Sequence, residues 1–289
     1  MRTSPSSSRR PPASNALALP DGFPTDIAAF ACDLDGTLIE KGGPLGERTL
    51  SAIARSRAAG VPVILATGRM FRSLRPYAET AGIIEPVVCY QGAAVVDPVS
   101  GTFLVHERIE LDVARETIAI LAELGSSPNV YVDDELYVAE HTPYSKAYAE
   151  FQNLPVTEVG DLLDWLERPP TKIVSVAEPD DIPAMRARLV ESLEGRLFLT
   201  RSLPFLLEMG NPSVSKGTGL QDVAARLGLA LEGIVAFGDG ENDIELLETS
   251  GFAFAIDGAD DGLLAVADAT CAGPSTEGVA GIIEAALAR

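Results

Sequence analysis

A short apolar run over residues 27–32 breaks off at Asp33-Leu34-Asp35-Gly36-Thr37, so two carboxylates stand two positions apart where a buried strand would end. A second run, 61–66, stops at Thr67-Gly68-Arg69, and a third, 234–237, at Gly238-Asp239-Gly240-Glu241-Asn242-Asp243. Any one of these acids reads equally well as a loop residue or a helix cap. Their recurrence at successive strand ends points to a site, because ligand crevices in open α/β sheets lie outside the carboxyl ends of the strands. Asp33, Asp35, Asp239 and Asp243 gathered there would repel and raise one another's pKa unless a cation neutralised them. An all-oxygen donor set with room for water and phosphate suits Mg²⁺. Lys216 supplies a positive charge in Pro212-Ser213-Val214-Ser215-Lys216-Gly217, which reads as a helix start capped by Ser213 or Ser215. A lysine in a first turn opposes the helix dipole, a placement that gains a purpose beside carboxylates and a phosphate.

The elements that must position these residues follow the same punctuation. Residues 44–60 and 70–81 read as helices closed by Gly60 and Gly82, and 87–90 as a third strand before Gln91-Gly92-Ala93. Strand, helix, strand, helix, strand is the order of a doubly wound α/β sheet. A hairpin is expected over 94–97 and 102–105. The rhythm then changes: a helix at 112–124, strands at 130–133 and 136–139, a strand at 171–177, a helix at 182–193, and strands at 196–200 and 205–209. This predicts an α+β insertion with a largely antiparallel sheet. Further strands at 252–256 and 269–271 and a helix at 282–288 close the chain. The predicted organisation is a tail over 1–25, a core over 26–108 and 210–289, and an inserted domain over 109–209.

A length of 289 residues allows two domains, and 46% hydrophobic residues allow a sizeable core. The net charge of −20 argues against nucleic acid or an anionic membrane as partner. An anionic small molecule would need a local positive site inside that negative shell. The charge bears on solubility and says nothing of stoichiometry. Cys32, Cys89 and Cys271 lack metal-ligand spacing and sit in or beside apolar segments, so buried free thiols in a reducing, cytoplasmic setting are expected. The Ser-, Pro- and Arg-rich start is similar in composition to a transit peptide, but lacks its amphipathic pattern and reads as a disordered tail. No apolar run is long enough to span a bilayer.

The motif Asp33-Leu34-Asp35-Gly36-Thr37-Leu38 resembles the first motif of the haloacid dehalogenase superfamily. Thr67-Gly68-Arg69, Lys216 and Gly238-Asp239-Gly240-Glu241-Asn242-Asp243 match its second, third and fourth motifs, in order. The long insertion and Thr276-Glu277-Gly278-Val279-Ala280 are similar to the Cof-type branch of sugar-phosphate phosphatases. Two departures stand out: Gln91-Gly92-Ala93 where Asn-Gly-Ala is common, and Ile256-Asp257-Gly258-Ala259 where Met-Gly-Asn-Ala is common.

The resemblance implies a Rossmann-like core with an α+β cap, and a Mg²⁺-dependent phosphatase that works through an aspartyl-phosphate. Asp33 would be the nucleophile and Asp35 the general acid and base, with Thr37 supporting the acid. Thr67 and Lys216 would stabilise the phosphoryl group. Asp33, the Asp35 backbone carbonyl, Asp239 and Asp243 would hold the metal. Backbone amides of Leu34, Asp35 and Gly68, with Arg69 and Asn211, would complete the phosphate and substrate contacts. The acid two residues after the nucleophile favours phosphoryl transfer over dehalogenation. From the cap, Asp133, Asp134, Lys172, Arg201 and Ser202 are candidate substrate contacts, each also readable as an ordinary surface or turn residue. His106 and His141 suggest surface positions, and Gly217-Thr218-Gly219 lacks the spacing of a nucleotide-binding loop. A small phosphate ester is expected as substrate, with sugar phosphates favoured over pyridoxal phosphate or a nucleotide. A phosphomutase, a non-catalytic sugar-phosphate-binding protein and an acidic scaffold are the competing readings.

Overall fold

The computed structural model describes residues 18–201 and 203–289, with the backbone alone at Phe151. Ser202 and most of the expected tail lie outside the described residues. Residues 18–25 do not belong with that tail, since Phe23 is 6% exposed and packs its ring against Phe252 and Phe254.

The expected alternation is present as β1 (Ala29–Cys32), α1 (Glu47–Ala58), β2 (Val63–Leu65), α2 (Phe71–Ala81) and β3 (Val87–Cys89). The hairpin follows as β4 (Ala94–Val96) and β5 (Phe103–His106). Next come α3 (Leu111–Glu123), β6 (Asn129–Val132), β7 (Glu135–Val138), α4 (Pro143–Gln152), β8 (Val156–Glu158) and α5 (Leu162–Trp165). After these lie β9 (Lys172–Val176), α6 (Ile182–Leu193), β10 (Phe198–Thr200) and β11 (Leu206–Gly210). The chain closes with α7 (Lys216–Leu227), β12 (Ile234–Gly238), α8 (Ile244–Thr249), β13 (Phe252–Ile256), α9 (Asp261–Leu264), β14 (Ala269–Cys271) and α10 (Gly278–Leu287).

Five strands form a parallel sheet in the order β14-β13-β12-β1-β2. All four residues of β1 are buried, as its unbroken apolar sequence requires between β12 and β2. The chain winds away from β1 in one direction and from β12 in the other, so the crevice between them is the topological switch point. β3 departs from the expected reading. Its pairing with the parallel sheet is an Ala66–Val88 bridge, and it pairs antiparallel with β4 in a three-stranded sheet. Tyr90 also leaves the strand, because Tyr90, Gln91 and Gly92 have φ of 53°, 59° and 101°.

The six-stranded sheet, β10-β11-β9-β6-β7-β8, is antiparallel except for the β7–β8 pair. Side-chain alternation divides it. Val130, Val132, Ile173, Leu207 and Met209 join a core with α3, α5 and α6. Tyr131, Val174 and Leu206 belong instead to the cluster that includes β1 and β12. This second face covers the carboxyl ends of the parallel strands. α4, β8 and α5 were not expected from the sequence, although α4 carries readable ends: a Thr142–Ser145 capping box, Pro143 in its first turn and a left-handed Asn153.

Gly92 lies where two elements meet closely. A Cβ there would collide with the Ser215 carbonyl, and its φ of 101° is strained for any L side chain. Gly92→Ala is therefore expected to destabilise the protein by about 3 kcal/mol or more, measured by denaturant unfolding.

Candidate active site

Asp33 follows β1, and its N–H donates to the Phe237 carbonyl at 3.0 Å, extending the ladder between β1 and β12 into the loop. Lys216 is the first residue of α7, whose N-cap is Ser215. Its ammonium is 0% exposed and donates to Asp33 Oδ1 and Asp243 Oδ1, each at 2.6 Å. The other Asp243 oxygen accepts from the N–H groups of Asp239 and Gly240. Burial lifts the Asp33 carboxyl well above its ordinary pKa; Asp243 and Asp239 push the same way, and Lys216 opposes them. Burial disfavours the Lys216 ammonium, but Asp243 and Asp33 outweigh it and strengthen its hold on the proton.

Asp35 turns away from this cluster. Its carboxylate accepts from Arg69 Nε at 2.5 Å, Arg69 Nη2 at 2.7 Å and the Gly42 N–H at 3.1 Å. The loop can curl so tightly because residue 36 is glycine: its φ is 95°, and a Cβ would collide with the Asp239 carboxylate. Thr67 is buried at the cleft and accepts from the Arg69 N–H at 3.2 Å.

The six-stranded sheet closes the cleft with polar bonds. Lys172 is buried, donating to Glu208 at 2.9 Å and to the Gly68 carbonyl at 2.7 Å. Gln91 donates to Glu208 at 3.2 Å and accepts from Asn242 at 3.1 Å. Asp133 and Asp134 form the β6–β7 turn with φ of 50° and 59°, as a two-residue hairpin turn of the primed kind requires. Asp134 accepts from the N–H groups of Phe71 and Arg72 and from Tyr90 Oη, so it caps α2, which has no side-chain cap of its own at Met70. The cleft that remains has a volume of about 40 Å³.

The structure brings Asp33, Asp35, Thr67, Gly68, Arg69 and Asp239 together on the cleft lining, with Asp243 and Lys216 directly behind. Leu34 is buried, and its carbonyl is taken by the amides of Leu38 and Ile39, so only its backbone faces a ligand role. Asn211 is a correction. Its Nδ2 donates to the Arg108 carbonyl and its Oδ1 accepts from Ser213, so its amide braces the end of β11 outside the cleft. Thr37 is another, because its buried hydroxyl has no partner and leaves Asp35 to Arg69. Asp133 pairs with Arg108 and Arg168 away from the cleft, and Arg201 is likewise outside its lining. His106 is half-buried, 2.7 Å from the Thr171 hydroxyl, and burial followed by Arg108 lowers its pKa to about 4. His141 lies on the surface.

Lys41, Gln152, Glu208 and Asn242 line the cleft and were missed. Glu208 carried a signal: a carboxylate between apolar neighbours in a strand needs a buried partner, and alternation places it with Leu206. Lys41 and Gln152 lie in segments with no such pattern.

Oxygens of Asp33, Asp239 and Asp243 lie within 4.8 Å of one another. Lys216 answers Asp33 and Asp243, and the half-exposed Lys41 lies 3.8 Å from Asp239, leaving three carboxylates against two ammoniums; charge and donor chemistry both fit a hard divalent cation. Burial, with Asp243 next, pushes Asp239 up to about 6, while Lys41 and Lys216 oppose. A raised carboxyl stabilises the cation-free fold below its unfolded pKa, and that contribution disappears as pH rises through the folded value near 6. Proton and cation compete for this group. The rise in melting temperature on adding saturating Mg²⁺ is therefore expected to be roughly 5–10 °C near pH 7 and markedly smaller near pH 5. Differential scanning fluorimetry at the two pH values checks it, and His106 cancels because both arms of each comparison share a pH.

The family of haloacid dehalogenase-like hydrolases matches residues 30–283. The 5-amino-6-(5-phospho-D-ribitylamino)uracil phosphatase YitU of Bacillus subtilis is 31% identical, over 87% of this chain and 94% of its own. The pyridoxal phosphate phosphatase YbhA of Escherichia coli is 27% identical, over 88% and 96%. Among solved structures, TM0651 of Thermotoga maritima superposes with a TM-score of 0.77 at 26% identity, over 89% of this chain and 97% of its own. SMU.1108c of Streptococcus mutans reaches a TM-score of 0.82 at 19% identity, over 91% and 100%, a likeness of fold. Motif order, sheet topology and these matches agree: the chain belongs to the haloacid dehalogenase-like hydrolase family.

Proposed function

We propose that this phosphoric monoester hydrolase cleaves a small phosphate ester, of the size of a sugar phosphate, by way of an aspartyl-phosphate on Asp33. The observation that carries this reading is the Asp33–Lys216–Asp243 arrangement at the β1/β12 switch point, with Asp35 two residues beyond Asp33. The names of the relatives, a ribityl-phosphate and a pyridoxal-phosphate phosphatase, support the substrate size. Residues 26–108 and 210–289 serve as the catalytic core, and 109–209 as the cap. The three buried, unbridged cysteines accord with a cytoplasmic setting.

Lys216 holds Asp33 through one oxygen and leaves the other to attack phosphorus. The new bond forms between that oxygen and phosphorus as the bond to the ester oxygen breaks. Asp35 gives its proton to the departing alkoxide, a step that needs its carboxyl to leave Arg69. Asp35 then takes a proton from a water that attacks phosphorus, and the bond to Asp33 breaks to release inorganic phosphate. The Thr67 hydroxyl and the amides of Leu34, Asp35 and Gly68 donate to the phosphoryl oxygens. Mg²⁺ held by Asp33, Asp239, Asp243 and the Asp35 carbonyl would neutralise charge on carboxylate and phosphate. Arg69 positions Asp35 rather than the phosphate.

Phosphate release from a panel of esters tests the reading. Asp33→Asn, or EDTA, is expected to lower the rate at least about 10³-fold. Asp35→Asn is expected to cost about 10²–10⁴-fold with alkyl esters. It should cost less in the first step with p-nitrophenyl phosphate, whose leaving group needs no proton. Turnover that survives Asp33→Asn would sink the covalent mechanism, and phosphate delivered to an added sugar rather than to water would mark a mutase.

A further inference from the structure

Gln152 ends α4 and reaches the cleft together with Tyr148, one turn earlier on the same helix. The residue is 5% exposed, and its amide oxygen is buried without a hydrogen-bond partner. The backbone that carries it is tightly placed. The Gln152 carbonyl accepts from Ser73 Oγ at 2.7 Å, and the same hydroxyl accepts from Arg69 Nη1 at 2.9 Å. Arg69 in turn holds Asp35. The Gln152 backbone is thus fixed relative to Arg69, beside the resting position of Asp35.

The neighbouring acceptors are already engaged. Glu208 takes Lys172 and Gln91, and the Gln91 oxygen takes Asn242. Gln152 lines the same cleft and its buried oxygen has its capacity unused, and a buried acceptor without a donor costs free energy that an incoming donor recovers. Resting on the phosphatase reading, we propose that Gln152 determines specificity: its amide oxygen accepts a hydrogen bond from a hydroxyl or ring N–H on the leaving group of the ester. Polyols, sugars and N–H heterocycles satisfy it. Alkyl leaving groups of the same length leave it buried and unpaired, and are disfavoured by that loss.

The test compares kcat/KM for ribitol 5-phosphate with n-pentyl phosphate, and for glycerol 1-phosphate with n-propyl phosphate. Each pair matches in carbon count and differs in hydroxyl donors. In Gln152→Met, close in length and without an acceptor, the polyol-to-alkyl ratio is expected to fall at least about tenfold, mostly through KM. Gln152→Glu, which keeps an acceptor, should hold the ratio within about threefold. Ligand-free Gln152→Met should melt no lower than the parent, because it deletes an unpaired buried acceptor. Gln152→Ala runs alongside in case the methionine variant misfolds. An unchanged ratio in both variants overturns the proposal. So does an equal loss on both members of each pair, which would reduce Gln152 to bracing Arg69. Inorganic phosphate, measured as a competitive inhibitor, decides a third outcome. Inhibition weakened as steeply as the ratio would mean that Gln152 meets the phosphoryl group, and this too overturns it. Failure of the phosphatase reading looks different: the parent would then be silent on all four esters in Mg²⁺.

Discussion

Three carboxylates brought to one buried point is the constraint around which this protein is arranged. Asp33, Asp239 and Asp243 crowd the end of two adjacent parallel strands, and one fully buried ammonium answers Asp33 and Asp243, with Lys41 beside the half-buried Asp239. That ammonium can arrive only if α7 starts at the right spot, which sets the Ser215 cap and the close approach of Gly92 to the Ser215 carbonyl. Removing one member of such a cluster strands the others without water to solvate them, so its parts depend on one another. The remaining negative charge fits a divalent cation and disfavours apolar packing.

The second sheet acts on the site through parity. One face of β6, β9 and β11 joins its own helices, and the other presents Lys172, Leu206 and Glu208 to the cleft. Lys172 and Glu208 form a nearly dry ion pair, a costly arrangement unless each charge has further partners. Both do: Lys172 reaches the Gly68 carbonyl, and Glu208 takes Gln91. Through these bonds the roof of the cleft is joined to the loop that carries Thr67 and Arg69.

Most of the residues gathered at the cleft were legible because buried parallel strands are unbroken apolar runs, and the polar residues that stop them are conspicuous. Asp33, Thr67 and Asp239 were found in this way, and Lys216 by its odd place in a first helical turn. The cleft's roof was harder to read. α4 carries Tyr144, Tyr148 and interspersed charges without a clean apolar stripe, so Gln152 had no periodic context to mark it. Asn211 misled for the opposite reason, since a polar residue just before the lysine segment looks available until Arg108 and Ser213 are seen to occupy it. The third strand was placed correctly but read one residue too long and with the wrong pairing, because left-handed turns at Tyr90 and Gln91 redirect the chain without any glycine before Gly92.

The Asp134 cap gives the two sheets a shared switch at the level of single amides. Any separation of the six-stranded sheet from the parallel sheet withdraws one carboxylate and exposes the Phe71 and Arg72 N–H groups and the Tyr90 hydroxyl together. Water has to replace that acceptor at all three donors. Hydrogen exchange at Phe71 and Arg72 would therefore respond to any such separation, at backbone amides and without a ligand.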